Sequence, residues 1–216
     1  MDDVQVELGL RERKKQRTRQ LIADTARRLF AERGFDAVTV TEIAREAEVA
    51  PATVFNYFPS KEDLFYSRLE AFEDELLTAI RDRAPGQSVL DAFAAFLFGQ
   101  RGVLDMKAPG GEEEATRQIQ TVTRVITESP ALLARERQVF DHYARTLADL
   151  LAEETRAAPI VCHTVANTLL GLHRALIDYV RDQALSGASA AQIRKGVRRE
   201  ARRAITQLER GLSDFG

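Results

Sequence analysis

The sequence has little of the chemistry on which most enzymes and metal sites depend. It contains a single cysteine, Cys162, which excludes an intramolecular disulfide, suits a reducing compartment and is expected in the core. Its three histidines, His142, His163 and His173, do not fall into HExxH or similar ligand spacings, and no CxxC occurs. We therefore expect no catalytic residues, no metal site and no cofactor.

Signals for strands and for membrane segments are also scarce. The sequence has no alternating β-branched segments and no Asn-Gly or Asp-Gly hairpins, and it contains only six prolines. No run of about 18 apolar residues is present, and the first residues lack the basic and apolar regions of a signal peptide. The sequence therefore predicts an all-α protein of about nine helices located in the cytoplasm.

Positive charge is concentrated near the amino terminus. The net charge of −2 and the pI of 6.0 argue against a protein with a basic surface throughout. From Arg11 to Arg33, however, nine basic residues accompany only three acidic ones. Taken alone, such a helix is more simply a solvated face, but together with the segment that follows it, it indicates where a nucleic acid would be contacted.

The segment Thr39–Lys61 predicts two short helices joined by a tight turn. Thr39 and Glu42 form the pattern of a capping box at the start of the first helix. Pro51 supplies the start of the second helix, which we expect to run to about Phe58. Two apolar residues are expected to face inward: Val54 and Phe58. The expected outward residues are small, hydrogen-bonding or aromatic: Ala52, Thr53, Asn56 and Tyr57. This composition is typical of a helix that contacts DNA bases.

This region resembles the amino-terminal domain of the TetR family of bacterial transcriptional regulators. The stretches that carry the resemblance are Arg33–Asp36, Thr39–Ala44 and Thr53–Leu64. It covers Thr18 to Phe65 without a gap. It departs from the family pattern at Glu48, where glycine is usual, and at Phe55, where tyrosine is usual. The first departure strains the turn, and the second removes a hydroxyl group.

The resemblance implies a homodimeric regulator whose second short helix lies across the major groove of double-stranded operator DNA. The residues implied to approach bases are Thr41, Pro51, Ala52 and Asn56. Those implied to lie at phosphates or the backbone are Thr39, Thr53, Tyr57 and Lys61. Members of the family are usually repressors, so we expect one that is released by a small-molecule effector, and a twofold dimer implies a palindromic operator. The alternatives are a protein-binding adaptor without DNA binding, which leaves the basic first helix unexplained, and a small-molecule enzyme.

We expect three parts in the chain: a mobile arm at residues 1–10, a three-helix DNA-binding domain at 11–59, and a larger helical domain at 60–216. A single long helix from Ser60 to Ala84 is expected to link the two domains. The larger domain is expected to bind the effector and to form the dimer.

Two further sites are predicted in the larger domain. Wide apolar stripes on the last two helices predict a four-helix dimer contact. Its expected residues are Val165, Leu169, Leu172, Leu176, Val197, Ile205 and Leu208. A pocket for a mostly apolar effector with one polar end is expected between the central helices. Its expected lining is Phe93, Phe96, Phe140, Tyr143, His163 and Asn167.

Overall fold

The structure is a computed structural model that describes residues 2–67, 69–99 and 110–211. Regular structure in these ranges is entirely helical, with ten α-helices, so the all-α prediction is confirmed. The helices are α1 (Asp2–Arg33), α2 (Val40–Glu46), α3 (Pro51–Tyr57), α4 (Lys61–Phe65), α5 (Leu69–Arg81), α6 (Val89–Phe98), α7 (Gly111–Thr127), α8 (Pro130–Glu154), α9 (Pro159–Leu185) and α10 (Ala190–Arg210).

Side-chain caps set where several of these helices begin. The Thr39 hydroxyl accepts a hydrogen bond from the Glu42 N–H at 3.2 Å, and the Glu42 carboxylate accepts one from the Thr39 N–H at 2.9 Å. The predicted capping box is therefore confirmed. The hydrogen bond from the Thr39 backbone is the main reason why the pKa of Glu42 falls to about 2, with help from the Thr39 hydroxyl and Arg33. The box therefore stays charged and intact at neutral pH.

The first helix is longer than predicted. α1 begins at Asp2, so residues 2–10 are helical where a mobile arm was predicted. The sequence contains no proline before Arg33, and nothing therefore forces the helix to begin later.

The single helix predicted from Ser60 to Ala84 is wrong, because α4 ends at Phe65 and a turn separates it from α5. The turn follows from the anchoring of Tyr66. Its buried hydroxyl donates to the Leu132 carbonyl of α8 at 3.1 Å, and its ring packs edge-on against Phe65 at 5.1 Å. Because the Tyr66 side chain is held against α8, the chain turns after Phe65 and the helix does not continue.

Buried side chains form two hydrophobic clusters. The amino-terminal core joins α1–α4 and Tyr66 to Val125, Ile126 and Leu132, which come from the facing ends of α7 and α8. The carboxyl-terminal core joins α5, α6, α8, α9 and α10 and includes Cys162, as expected. α4 and Tyr66 therefore pack with the amino-terminal core, although the sequence placed them beyond the domain boundary.

Polar contacts also hold α8 against the amino-terminal core. The Ser129 hydroxyl donates to Asp36 at 2.9 Å, and the Arg135 guanidinium forms an ion pair with Asp63 at 2.6 Å. Because both contacts join residues far apart in sequence, they fix the position of the first helices relative to α8.

Among the described helices, α9 has the length and apolar composition of a membrane-spanning helix. It also packs against α7, α8 and α10. The central helix of a bundle meets the same criteria, and core packing accounts for its apolar residues.

Candidate nucleic-acid interface

α3 presents a mixed apolar and polar face to solvent. Its exposed residues are Pro51, Ala52, Phe55 and Asn56. On the opposite side Val54 and Phe58 are fully buried, as predicted. Thr53 and Tyr57 are half-buried, and Tyr57 packs against the amino-terminal core. The exposed face therefore runs through Phe55, which is 52% exposed and was missing from the predicted outward residues.

Thr39, the N-cap of α2, and Thr41 within α2 differ in their freedom to contact DNA. Thr41 is exposed. Thr39 is also exposed, but its hydroxyl donates to Glu42 at 2.9 Å in addition to accepting the capping hydrogen bond. A phosphate at Thr39 would therefore have to displace the Glu42 carboxylate as acceptor.

Lys61 has an internal role that the sequence did not predict. Its ammonium donates to the carbonyls of Phe35 at 2.9 Å and Val38 at 3.0 Å, and it lies 4.1 Å from the centre of the Phe35 ring. These contacts join the start of α4 to the loop between α1 and α2. They leave one of its three N–H donors for a phosphate.

A polar cleft of about 650 Å³ lies between the basic half of α1 and the end of α3. Its lining residues are Glu12, Lys15, Gln16, Arg19, Gln20, Asn56 and Tyr57. The Arg19 guanidinium lies 4.9 Å from the centre of the Phe58 ring, which places this cation beside the end of α3. The sequence indicated a basic first helix, and the structure brings two of its cations next to Asn56.

The turn between α2 and α3 contains backbone strain. Glu48 has a φ of +54°, a conformation that costs a residue with a Cβ atom roughly 1–2 kcal/mol. This agrees with the prediction that Glu48 strains a turn where glycine is usual.

Replacing Glu48 with glycine is expected to stabilise the fold by about 1 kcal/mol relative to Glu48→Ala, because only glycine relieves the positive φ. Urea unfolding followed by circular dichroism measures this difference. Both variants remove the same exposed carboxylate, so the comparison isolates the backbone. Equal stability of the two variants would show that the turn holds no strain.

The predicted effector residues do not face one common space. Phe93, Phe140 and Tyr143 are buried in the carboxyl-terminal core. His163 and Asn167 are exposed on α9, where the Asn167 amide donates to the His163 carbonyl of its own helix at 2.8 Å. The aromatic residues of α6 and α8 therefore lie in the core, whereas His163 and Asn167 lie on the exposed side of α9.

The predicted dimer residues mostly face the interior of their own chain. Leu169, Leu176, Val197 and Ile205 are buried, and the first three belong to the carboxyl-terminal core. Val165 and Leu172 are partly buried against the same core, and Leu208 is half-buried. The apolar stripes are therefore largely used within the protomer, because α9 and α10 pack against each other and against their neighbours.

Histidine and cysteine side chains do not cluster into a metal-binding group in the described part of the chain. No group of three or more His, Cys, Asp or Glu side chains there is placed to hold a metal ion. Burial lowers the pKa of His173 to about 3, so its ring is neutral at physiological pH.

Residues 22–67 match the family model described as bacterial regulatory proteins, tetR family. The chain is also 31% identical to the helix-turn-helix transcriptional regulator TcmR of Streptomyces glaucescens, over 67% of this chain and 63% of TcmR. The chain belongs to the TetR family. This TetR-family protein is in addition 26% identical to the regulator UidR of Escherichia coli K12, over 64% of this chain and 71% of UidR.

Solved structures agree with this membership at the level of the fold. The Salmonella enterica protein GusR superposes with a TM-score of 0.50 at 17% identity, covering 88% of this chain and 96% of GusR. A TetR-family regulator from Mesorhizobium loti also gives a TM-score of 0.50 at 17% identity. Both alignments extend far beyond residues 22–67, so the carboxyl-terminal helices share the fold as well.

Proposed function

We propose that this TetR-family protein is a cytoplasmic transcriptional repressor, not an enzyme, that binds a palindromic operator as a homodimer and is released by a small-molecule effector. The observation that carries the proposal is the exposed face of α3 beside the cations of α1. An adaptor without DNA binding has no use for this arrangement.

The residues of this face divide into two kinds of contact. The Asn56 amide has a hydrogen-bond donor and an acceptor that match those on the major-groove edge of adenine. Ala52 and Phe55 offer apolar contact to a thymine methyl group. Lys15 and Arg19 border the cleft beside Asn56 and supply charge for phosphates. The remaining DNA-contacting residues in the proposal are Thr39, Thr41, Pro51, Thr53, Tyr57 and, through its third donor, Lys61.

The exposed side of α9 supports a homodimer. Its exposed residues include Ile160, His163, Thr164, Asn167, Thr168, Gly171 and Ala175, spaced so that they form one stripe. The polar side chains Thr164, Asn167 and Thr168 donate to carbonyls of their own helix. Another helix could therefore cover this stripe without leaving these donors unpaired.

Gly171 lies in the middle of the same stripe. An added Cβ atom there would meet nothing within 4 Å in the protomer. A glycine inside a helix costs roughly 0.5–1 kcal/mol relative to alanine, and packing within the protomer gives no reason for it. Close approach of the same helix from a second copy would give that reason, so we place the twofold contact at α9.

The direct test is selection of DNA fragments by the purified full-length protein, followed by gel shift with the enriched sequence. We expect a palindrome whose half-sites are separated by about one helical turn or slightly more. A protein in which Lys15 and Arg19 are both alanine serves as a control for charge. It should retain the sequence preference and bind more weakly, with a salt dependence reduced by about two units of slope. If no sequence is enriched, the protein is not a sequence-specific repressor.

Phe55→Ala is expected to weaken operator binding by about 1 kcal/mol, the order of one buried methyl group, and to remove the preference for a particular thymine. The measurement replaces thymines of the operator one at a time with deoxyuridine, which lacks only the methyl group. One such replacement should weaken binding of the natural protein and have no effect on Phe55→Ala. Asn56→Ala is the matched comparison, because it should lose discrimination at one base pair and keep the response to the methyl group. If every deoxyuridine site affects natural protein and Phe55→Ala equally, Phe55 contacts no thymine methyl.

A further inference from the structure

An apolar groove lies between α7 and α9. Its volume is about 300 Å³, at the lower end of the roughly 300–1,000 Å³ typical of small-molecule sites. Its lining residues are Gln118, Ile119, Val122, Thr123, Ile126, Ile177, Val180 and Arg181. Val122 is 42% exposed there, although most large apolar side chains of the described chain are covered. The only charged lining residue is Arg181.

The groove touches the amino-terminal core directly. Ile126 lines the groove and is also a member of that core. A molecule in the groove would therefore contact a side chain that packs with the helices carrying the DNA-contacting face.

A second connection runs through buried polar groups. Arg181 forms a bidentate ion pair with Glu136 of α8, in which Nη1 donates to Oε1 at 2.9 Å and Nη2 donates to Oε2. The Tyr66 hydroxyl lies 3.3 Å from the same Glu136 carboxylate. The side chains of Arg181 and Glu136 are only 12% and 8% exposed. Glu136 thus contacts both Arg181 and Tyr66, which lies at the turn after α4.

The charges around Arg181 select the kind of ligand. Its guanidinium already faces two carboxylates, that of Glu136 and that of Asp178, whose Oδ1 lies 3.6 Å from Nη1. A ligand carboxylate would add a third negative charge. A neutral acceptor such as a carbonyl oxygen adds no charge. The guanidinium can bind it, because the bidentate contact with Glu136 uses only two of its five N–H donors.

We propose that this groove binds the effector and that the effector is a neutral, mostly apolar small molecule with a carbonyl oxygen directed at Arg181. Its occupation shifts the amino-terminal helices through Ile126 and through the chain of Arg181, Glu136 and Tyr66. This inference rests on the proposed repressor function for its regulatory half only. Ligand binding by the groove is independent of DNA.

The binding half is tested with three naphthalene probes that differ in one group. Prodan carries a ketone, 2-dimethylaminonaphthalene lacks it, and 6-dimethylamino-2-naphthoic acid carries a carboxylate in its place. Titration of the full-length protein, followed by probe fluorescence, should show prodan binding about tenfold more tightly than either of the others. Equal affinity of the three probes, or tighter binding of the acid, overturns the proposed ligand class.

The location is tested by filling the groove. Val122→Trp should weaken prodan binding by at least tenfold, and Val122→Glu should do the same by placing a charge against apolar walls. Arg124→Trp is the matched control, because Arg124 is exposed two residues further along α7, on the other side of the helix. With helix content intact by circular dichroism, unchanged prodan affinity in both Val122 variants overturns the site. Loss of the dimer with prodan binding unchanged would assign the groove to a second copy of the chain and also overturns it.

The regulatory half is tested on the selected operator. Saturating prodan should change operator affinity at least fivefold, the lower end of ordinary coupling between sites. Tyr66→Phe should keep prodan affinity within threefold and reduce that change, because it removes only the hydroxyl, which contacts the Leu132 carbonyl and Glu136 at the turn. Prodan binding without any change in operator affinity overturns the regulatory half. Failure to enrich any DNA fragment counts against the repressor function, and the prodan titrations still decide the groove.

Discussion

Replacing Gly171 with arginine is expected to produce a folded monomer that binds the operator roughly 10²–10⁴-fold more weakly than the natural protein. The loss is that of a second, linked half-site contact, since each protomer then binds alone. The protomer itself should tolerate the change, because an added Cβ atom at Gly171 meets no neighbour within 4 Å. Light scattering after size exclusion measures the mass, and gel shift measures the affinity.

Two variants make the result specific to the exposed stripe of α9. Ala152→Arg adds the same charge at an exposed position of α8 and should stay dimeric with unchanged operator affinity. Gly171→Ala should raise the stability of the isolated helix and weaken the dimer less than arginine does. A Gly171→Arg protein that remains dimeric would move the interface away from this stripe. Leu208→Glu is a poorer test, because Leu208 is half-buried and the neighbouring Ile205 is only 7% exposed.

Replacing Glu136 with alanine is expected to lower the free energy of unfolding by about 3–5 kcal/mol, a large share of the 5–15 kcal/mol typical of a folded protein. The change leaves the guanidinium of Arg181 without its bidentate partner at a position where it is only 12% exposed. Burial, together with the nearby Glu136 charge, also raises the pKa of the Tyr66 hydroxyl, so Tyr66 remains a neutral donor. Urea unfolding of the full-length protein measures the loss.

The matched control removes both charges at once. Glu136→Leu combined with Arg181→Met replaces the ion pair by apolar groups and should come within about 2 kcal/mol of the natural protein, because no buried charge is left unpaired. If Glu136→Ala alone loses less than 1 kcal/mol, water must reach Arg181 and the pair contributes little. The double variant should also bind prodan more weakly, since Arg181 no longer offers a donor to the ketone, and any remaining coupling to the operator should be smaller, since only Ile126 then joins the groove to the amino-terminal core.

Much of the amino-terminal part was predictable because its signals are local. The capping box of Thr39 and Glu42 and the proline at the start of α3 act within one turn of the chain, so the sequence alone places α2 and α3. The strain at Glu48 was predictable from the family resemblance, because glycine is usual at this position of the turn. The alternation of buried Val54 and Phe58 with exposed Ala52 and Asn56 follows from helical periodicity.

The sites of the larger domain depend on contacts between distant residues. The sequence shows that α9 and α10 carry apolar stripes, but both stripes are largely buried within the protomer, and the exposed stripe of α9 is the smaller-residue one around Gly171. Periodicity gives the faces of a helix and not the partner of each face. The same limit applies to the predicted effector residues, since Phe93 of α6 is buried in the core, whereas Asn167 of α9 is exposed.

Local sequence therefore determined the all-α fold, most helix starts and the burial of Val54 and Phe58 on one side of α3. Only the tertiary structure decided that Lys61 binds the carbonyls of Phe35 and Val38, that the predicted long helix breaks at Tyr66, and that Arg181 pairs with Glu136. Each of these depends on hydrogen bonds between groups 20 or more residues apart. Such contacts form only after the helices have packed, and no short-range pattern in the sequence specifies them.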